Sequence, residues 1–333
     1  MLTRPVTLTV NEFPRIAAWS PQGEHLAVGL GDGSLAWIDP GSGKIQRRHP
    51  AHASGILGLG WDPQGERLAT SGEDGRVRIW LPSREDTFWE SGEGPEWVEF
   101  LTWSSDGSHL ASAGGNTVQV WDRQGRRVTC LEGFGSTVSG LAWRSDGKAL
   151  AVASYGVVQV FALGEDVPTA SLIWKSSFVS LAWSPDGRHL AAGTQENSVV
   201  YWQAPFGDGE PLQMSGYASK VKELAWDHRS RHLATGGGEI VTVWDVSGSG
   251  PEGRRPQQLV GHQQRITALA YKPNGDVLAS GGKDGEVCLW NPLASDAGVR
   301  AHVFGEPVEV VAWSANGARL AAAASEGTVA LFS

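Results

Sequence analysis

The sequence predicts an all-β protein, an eight-bladed β-propeller of four-stranded antiparallel blades. Three observations carry that prediction. A phrase of the type Leu181-Ala182-Trp183-Ser184-Pro185-Asp186-Gly187 returns eight times in 333 residues. Its anchor aromatic falls at Trp19, Trp61, Trp103, Trp143, Trp183, Trp226, Tyr271 and Trp313, with gaps of 40 to 45 residues. A period of that size in a chain with 44 glycines marks a propeller or solenoid, and each period has turn signals for four short strands, which is one blade.

Residues 259–291 show the elements in order. Arg265 to Lys272 alternates apolar and polar side chains and reads as a first strand. Pro273-Asn274-Gly275 turns the chain, because Pro presets φ while Asn and Gly tolerate positive φ. Val277 to Ser280 returns as a second strand, Gly281 to Gly285 turns again, and Glu286 to Trp290 is a third strand. A looser stretch and a fourth strand complete the unit. The first turn recurs as Pro63-Gln64-Gly65, Ser105-Asp106-Gly107, Ser145-Asp146-Gly147, Pro185-Asp186-Gly187 and Ala315-Asn316-Gly317; Asp227-His228-Arg229-Ser230 departs from it.

The third strand closes on an aromatic in every repeat: Trp37, Trp80, Trp121, Phe161, Trp202, Trp244, Trp290 and Phe332. Of the 16 tryptophans, 13 occupy one of these two repeat positions. That assigns them to packing between blades, where large rings bury the most area, rather than to a cofactor box. The repeat runs without a linker, so residues 1–333 are expected to form one propeller domain. The eighth repeat ends after its third strand, and Val6 to Val10 is a β-prone segment without a blade. The N-terminal strand, about residues 5–10, is therefore expected to join the C-terminal blade, closing the ring and removing open edges.

Composition narrows the function. Hydrophobic content of 41% and charge of 19% fit a globular chain. A net charge of -9 disfavours a dedicated nucleic-acid binder, which carries a basic face. Cys130 and Cys288 fall in unrelated parts of the repeat, so no disulfide, no metal site and no cofactor is expected. The first residues lack a signal-like apolar run and no stretch of 18 apolar residues occurs, so the expected setting is cytoplasmic and away from membranes.

The Gly261-His262 pair, the Trp290 strand end and the Trp-Asp pairs Trp121-Asp122 and Trp244-Asp245 resemble the WD40-repeat family, in its compact bacterial-type form. The resemblance implies a buried tetrad in a blade: a His before the first strand, a Ser or Thr in the second, an Asp in the turn and the Trp of the third. Two sets match it, His52, Thr70, Asp74, Trp80 and His262, Ser280, Asp284, Trp290. A hydrolase reading of Ser, His and Asp lacks a nucleophile elbow and an oxyanion hole. The other blades have Val10, Gly94, Phe134, Trp174, Tyr217 and Phe304 at the His position, where packing is expected to replace hydrogen bonding.

The resemblance also implies a partner-binding top face, formed by the loops before the first strands and the turns between second and third strands. Residues expected there are Phe13, Arg15, Trp97, Glu99, Tyr155, Lys220, Lys222, Arg265, Lys283 and Glu309, with Glu96 and Glu306 adding acids. Aromatic and Arg anchors of this kind suit a protein or peptide partner. The expected function is a non-catalytic interaction scaffold, monomeric within a complex. An enzyme or small-molecule binder using the central channel is the alternative, disfavoured by small and apolar first strands such as Leu59-Gly60 and Leu141-Ala142. The resemblance carries one further expectation, an accessory partner of a metal-chaperone GTPase.

Three details stay open. The Gly- and Pro-rich stretch 247–258 reads as a tolerated insertion or as an arm presenting Arg254 and Arg255. Trp89 lies off the repeat grid, as a contact or as packing. His25, His109, His189 and His232 share one repeat position, read as a surface strand role.

Overall fold

A computed structural model describes residues 5–82, 87–92, 97–207, 210–248 and 250–333, with backbone only at Thr87 and Phe88. Among these residues no helix forms. Thirty-two strands assemble into eight four-stranded antiparallel sheets. The fold is an eight-bladed β-propeller whose ring is closed by the strand Val6–Thr9. That strand pairs with Thr328–Phe332 in the register Val6↔Leu331 to Thr9↔Thr328, completing blade 8.

Backbone proximity divides the chain into two compact units. One unit, Arg15–Asp39 with Ile45–Phe178, holds blade 1 (Pro14–Trp19, Leu26–Leu30, Ser34–Asp39, Lys44–Pro50) apart from Pro14 and Lys44, and blade 2 (Ile56–Trp61, Leu68–Gly72, Val77–Trp80, Thr87–Glu90). It also holds blade 3 (Val98–Trp103, His109–Gly114, Thr117–Asp122, Arg127–Leu131) and blade 4 (Gly140–Trp143, Ala149–Ser154, Val157–Ala162, Pro168–Ile173). The other holds blade 5 (Phe178–Trp183, His189–Thr194, Val199–Gln203, Leu212–Met214) and blade 6 (Leu224–Trp226, His232–Thr235, Ile240–Asp245, Gln257–Val260). Blade 7 (Ile266–Tyr271, Leu278–Gly282, Glu286–Trp290, Val299–Val303) and blade 8 (Val308–Trp313, Leu320–Ala324, Thr328–Phe332, Val6–Thr9) complete it.

In each blade the second strand is buried on both faces, as in Leu26–Leu30, Leu68–Gly72 and Leu320–Ala324. Its Ala, Gly and Ser residues let neighbouring blades approach closely. The anchor indoles then join blade to blade. In the first unit Trp61 Nε1 donates to Ala18 O at 3.1 Å, Trp103 to Gly60 O at 3.0 Å and Trp143 to Thr102 O at 3.1 Å. In the second, Trp226 donates to Ala182 O at 3.3 Å and Trp313 to Ala270 O at 3.1 Å. The acceptor is each time the residue before the previous blade's anchor. The sequence reading had these rings as packing alone; they also hydrogen-bond.

The residue after the anchor caps the turn. Ser20, Ser104, Ser184 and Ser314 each accept at Oγ from the backbone N–H five residues on. Asp62 and Asp227 do so with a carboxylate oxygen. The turn that departs in sequence, Asp227 to Ser230, keeps the geometry. Ser230 takes φ 58°, where Gly23 has 73° and Gly187 has 68°, and its N–H donates to Asp227 O at 3.0 Å. The buried Ser230 hydroxyl accepts from the Asp186 N–H of blade 5 at 3.0 Å, a bond to set against the cost of the left-handed conformation.

The histidine position is not a surface one throughout. His189 is buried, 2.6 Å from the Tyr201 hydroxyl and stacked on Trp226, while His25, His109 and His232 are half-buried. This position lies between blades, which a period-2 reading of one strand does not reveal.

Deletion of residues 1–10 should expose the edge of Thr328–Phe332 and remove Val10, which is fully buried. The loss of Val10 burial alone is worth about 1.5–3 kcal/mol, and the open edge promotes association. The expected outcome is a lower melting temperature with oligomers on size-exclusion chromatography. A monomeric truncation as stable as the full chain would contradict the closure.

Candidate functional site

The loop ahead of each first strand and the turn between second and third strands meet at one end of a blade. Backbone bonds fix this: Glu73 N donates to Gly55 O, Lys283 N to Arg265 O and Ser325 N to Pro307 O, at 3.0, 2.9 and 2.8 Å. The same loops reach back to the preceding blade, where His52 N donates to Gly33 O and Phe304 N to Gly285 O, both at 2.8 Å.

In blade 2, Trp80 Nε1 donates to Thr70 Oγ1 at 2.9 Å, His52 Nε2 lies 2.9 Å from that hydroxyl, and His52 Nδ1 lies 2.7 Å from Asp74. In blade 7 the distances are 2.8 Å from Trp290 Nε1 to Ser280, 2.7 Å from Ser280 to His262 Nε2 and 3.0 Å from His262 Nδ1 to Asp284. Each Asp also accepts from the backbone N–H directly after its histidine, at Ala53 and Gln263. Gly72 and Gly282 make room for the imidazole: a Cβ at either would stand 2.6 Å from Nδ1.

Burial pushes the Asp74 carboxyl up, but hydrogen bonds from His52, Arg78 and the Ala53 N–H outweigh it and hold it down at about 2. Burial likewise keeps the His52 imidazole below its ordinary range, against the pull of Asp74. With every donor and acceptor of the chain Trp–Thr–His–Asp engaged, these side chains brace the blade.

Two of the remaining blades replace the tetrad by packing. Phe134 meets Phe161 edge-on at 6.1 Å, and His302 sits between Phe304 and Phe332 at 4.5 and 6.0 Å. Blade 6 corrects the expectation. There the Tyr217 hydroxyl stands 2.8 Å from Thr235 Oγ1 and accepts from Trp244 Nε1 at 2.7 Å. A phenol both donates and accepts, so it takes the bridging role of the imidazole. Gly94 lies outside the described residues. A cavity of about 530 Å³ opens between blades 2 and 3, beside Ser112, Asn116, Gln119 and Trp121.

The ten residues expected on the top face divide by environment. Phe13, Trp97 and Tyr155 are 38, 55 and 67% exposed, and they are the exposed aromatics among the described residues. Lys220, Lys222, Lys283 and Glu99 are exposed. Arg15 is tied to Glu73 at 2.9 Å and Arg265 to Glu223 at 3.6 Å. Glu223 is nearly enclosed, and burial pushes its carboxyl up against the opposing charge of Arg265. Glu309 is half-buried, its carboxyl raised by burial and partly offset by Lys283. Glu96 lies outside the described residues.

Arg254 folds back on its own loop, ion-paired to Asp245 and bonded to Ser247 Oγ at 3.0 Å and Ser247 O at 2.8 Å, as a tolerated insertion would. Trp89 is packing: it lies 4.9 Å from the Trp121 ring within the outer edge of blade 2. Cys288 is buried, and burial together with Glu286 and Asp284 pushes its thiol up to about 12, which removes it as a nucleophile at neutral pH. Among the described residues one group has donor atoms close enough to hold a metal ion, His262, Glu286 and Cys288. Comparing the two cysteines with each other could not find it; aligning the repeats two residues apart on the third strand would have.

Comparison with known proteins adds to this geometry. The family model described as WD40, WD domain, G-beta repeat, matches residues 43–80, 89–122, 168–203 and 253–291. A Caenorhabditis elegans protein, Periodic tryptophan protein 2 homolog, is 35% identical over 68 residues, 20% of this chain and 8% of that protein. The chain therefore spans less than a tenth of that relative. The crystal structure of the computationally designed Ika8 protein matches with a TM-score of 0.83 at 21% identity, over 97% of each chain, a likeness of fold alone.

Tyr217→Phe removes the bridging hydroxyl and leaves the Trp244 indole N–H without its acceptor, while Thr235 keeps its bond to Thr242 O, at about 1–3 kcal/mol. Thermal melts should show that loss; an unchanged midpoint would demote the bridge to packing. The imidazoles of His52 and His189 are both held below 6.5, chiefly by burial. Stability from such groups is complete above 6.5 and is lost as pH falls below it, because the unfolded chain takes up protons that the fold refuses. Melting temperature should fall from pH 7 to 5.5, with a shallower slope in His189→Gln; equal slopes would clear His189 of that role.

Proposed function

The chain belongs to the WD40-repeat family, and from that premise we propose that it is a non-catalytic scaffold holding a protein or peptide partner against its loop-bearing face. Propellers of this family are generally non-catalytic and typically bind other proteins. The observation that supports the reading here is the exposure of Phe13, Trp97 and Tyr155. Nearly all other rings are spent on blade packing, and an exposed ring carries an unmet burial free energy that a partner can relieve. Each of the three stands on a loop rather than on a blade face, where side chains are free to meet a second molecule.

The charges refine this. Arg15 and Arg265 are bound within the fold, so they position loops more than they meet a partner. Lys220, Lys222 and Lys283 are exposed on blades 6 and 7 and suit a rim that steers an acidic segment.

The test is capture of partners from the native cell on the full-length chain and on a Trp97→Ala, Tyr155→Ala double variant. Both side chains are exposed, so the variant should melt within about 0.5 kcal/mol of the parent. The expected result is a specific protein recovered by the parent and at least tenfold weaker on the variant, about 1.4 kcal/mol or more. A partner held equally by both baits would move the site off these aromatics.

A further inference from the structure

Blades 2 and 7 carry the same tetrad with different surroundings. Two and four residues after the turn Asp, blade 2 has Arg76 and Arg78, whereas blade 7 has Glu286 and Cys288. Side chains alternate along a strand, so each pair faces the same side as the tetrad Trp. In blade 2 the Arg78 guanidinium occupies that space, 2.9 Å from His52 Nδ1 and 3.0 Å from Asp74 Oδ2. The tetrad carboxylate there has a fixed cation beside it.

Among the described residues no arginine or lysine is ion-paired to Asp284 in blade 7 as Arg78 is to Asp74 in blade 2. Cys288 pairs across the sheet with Ser280, whose hydroxyl holds His262 Nε2. The donor atoms of His262, Glu286 and Cys288 all lie within 4.8 Å of one another. The three residues are 3, 8 and 4% exposed. Arg300 binds Glu286 Oε1 at 2.8 Å from the solvent side, but Glu286 Oε2 is buried with no hydrogen-bond partner. A buried carboxylate oxygen without a partner is costly, and two carboxylates, Asp284 and Glu286, face one partly exposed Arg.

We propose that blade 7 binds a thiophilic divalent cation of the zinc class between Cys288, Glu286 and His262. Sulfur, imidazole nitrogen and carboxylate oxygen form a donor set that such ions select over magnesium or calcium. To bind the cation His262 exchanges one of its two present contacts, Asp284 at Nδ1 or Ser280 at Nε2, and the partner that remains orients the ring from outside the metal. The cation takes the electrostatic place that Arg78 fills in blade 2, satisfies Glu286 Oε2, and displaces the Cys288 thiol proton to solvent. Three protein ligands leave a fourth position open to water.

The test uses the full chain, stripped with a chelator and titrated with Co²⁺, then competed with Zn²⁺. The expected result is one equivalent of Co²⁺ with a thiolate-to-cobalt charge-transfer band and a raised melting temperature with Zn²⁺. Cys288→Ser should weaken binding at least 100-fold and abolish the band, Glu286→Gln should weaken it at least tenfold, and Cys130→Ser should leave both untouched. A missing band in the folded parent chain, a band that survives Cys288→Ser, or one that disappears with Cys130→Ser would each overturn the site. The absence of any Zn²⁺ effect on the parent's melting would do the same, independently of how the variants fold.

Discussion

The packing of blade on blade within each unit depends on one recurrent bond, made by the anchor indoles Trp61, Trp103, Trp143, Trp226 and Trp313 to a first-strand carbonyl of the blade before; the Trp183 Nε1 is buried without such a partner and Tyr271 offers a phenol instead of an indole. The first strand is an edge of its sheet, so alternate carbonyls point away from its own blade. Buried, such a carbonyl would lack a partner. The Trp103 indole meets Gly60 O and the Trp143 indole meets Thr102 O, satisfying that edge and fixing how far apart adjacent blades stand. The ring delivers its buried area at the same place. The spacing of 40 to 45 residues is the length of chain that builds one four-stranded blade and returns an anchor ring to the edge of its neighbour. Between bonded blades the remaining requirement is small side chains, which explains the Ala, Gly and Ser content of the second strands.

Blade interiors are less uniform because several chemistries satisfy the same demand. Two blades use an imidazole between hydroxyl and carboxylate, one uses the Tyr217 phenol, and blade 4 sets Phe134 against Phe161 and needs no hydrogen bond at all. What is conserved physically is the matching of donors to acceptors in a buried space. A buried network is favourable only when every member is paired. Trp80 and Trp290 carry an indole N–H and need an acceptor; Phe161 and Phe332 do not, and they meet the rings of Phe134 and His302 edge-on.

The period, the blade count and the closing strand were legible because each rests on local pattern: anchor spacing, turn chemistry and an orphan strand at residues 6–10. Pairwise chemistry was less so. Tyr217 was read as packing because its hydroxyl acts across a loop, toward Thr235 and Trp244, at separations of 18 and 27 residues. His189 was read as a surface residue because one strand's alternation cannot show the next blade lying over it. Ser230 looked like a broken turn because residue type, not φ, is what a sequence displays. The exposed aromatics Phe13, Trp97 and Tyr155 were identified by repeat position alone, since neither the loops before first strands, which hold Phe13 and Trp97, nor the turns between second and third strands, which hold Tyr155, lie in the core. The intramolecular ties of Arg15 and Arg265 depend on where neighbouring loops fall, which no repeat position encodes.

The contrast between blades 2 and 7 shows what a repeat fold leaves free. The framework positions, from indole to carboxylate, are filled alike in both, with Thr70 in one and Ser280 in the other supplying the hydroxyl. The positions between them on the third strand, Arg76 and Arg78 against Glu286 and Cys288, differ in charge while the Trp, hydroxyl, His and Asp of the clamp stay in place. A braced histidine is thereby kept in a constant place while its surroundings vary. In blade 2 those surroundings close the site with a guanidinium already ion-paired to Asp74. In blade 7 they leave a thiol, a carboxylate oxygen without a partner and an imidazole held by its own carboxylate. Function on such a scaffold comes from the residues that the packing does not need, whether they point into a blade, as Glu286 and Cys288 do, or out of a loop, as Trp97 and Tyr155 do.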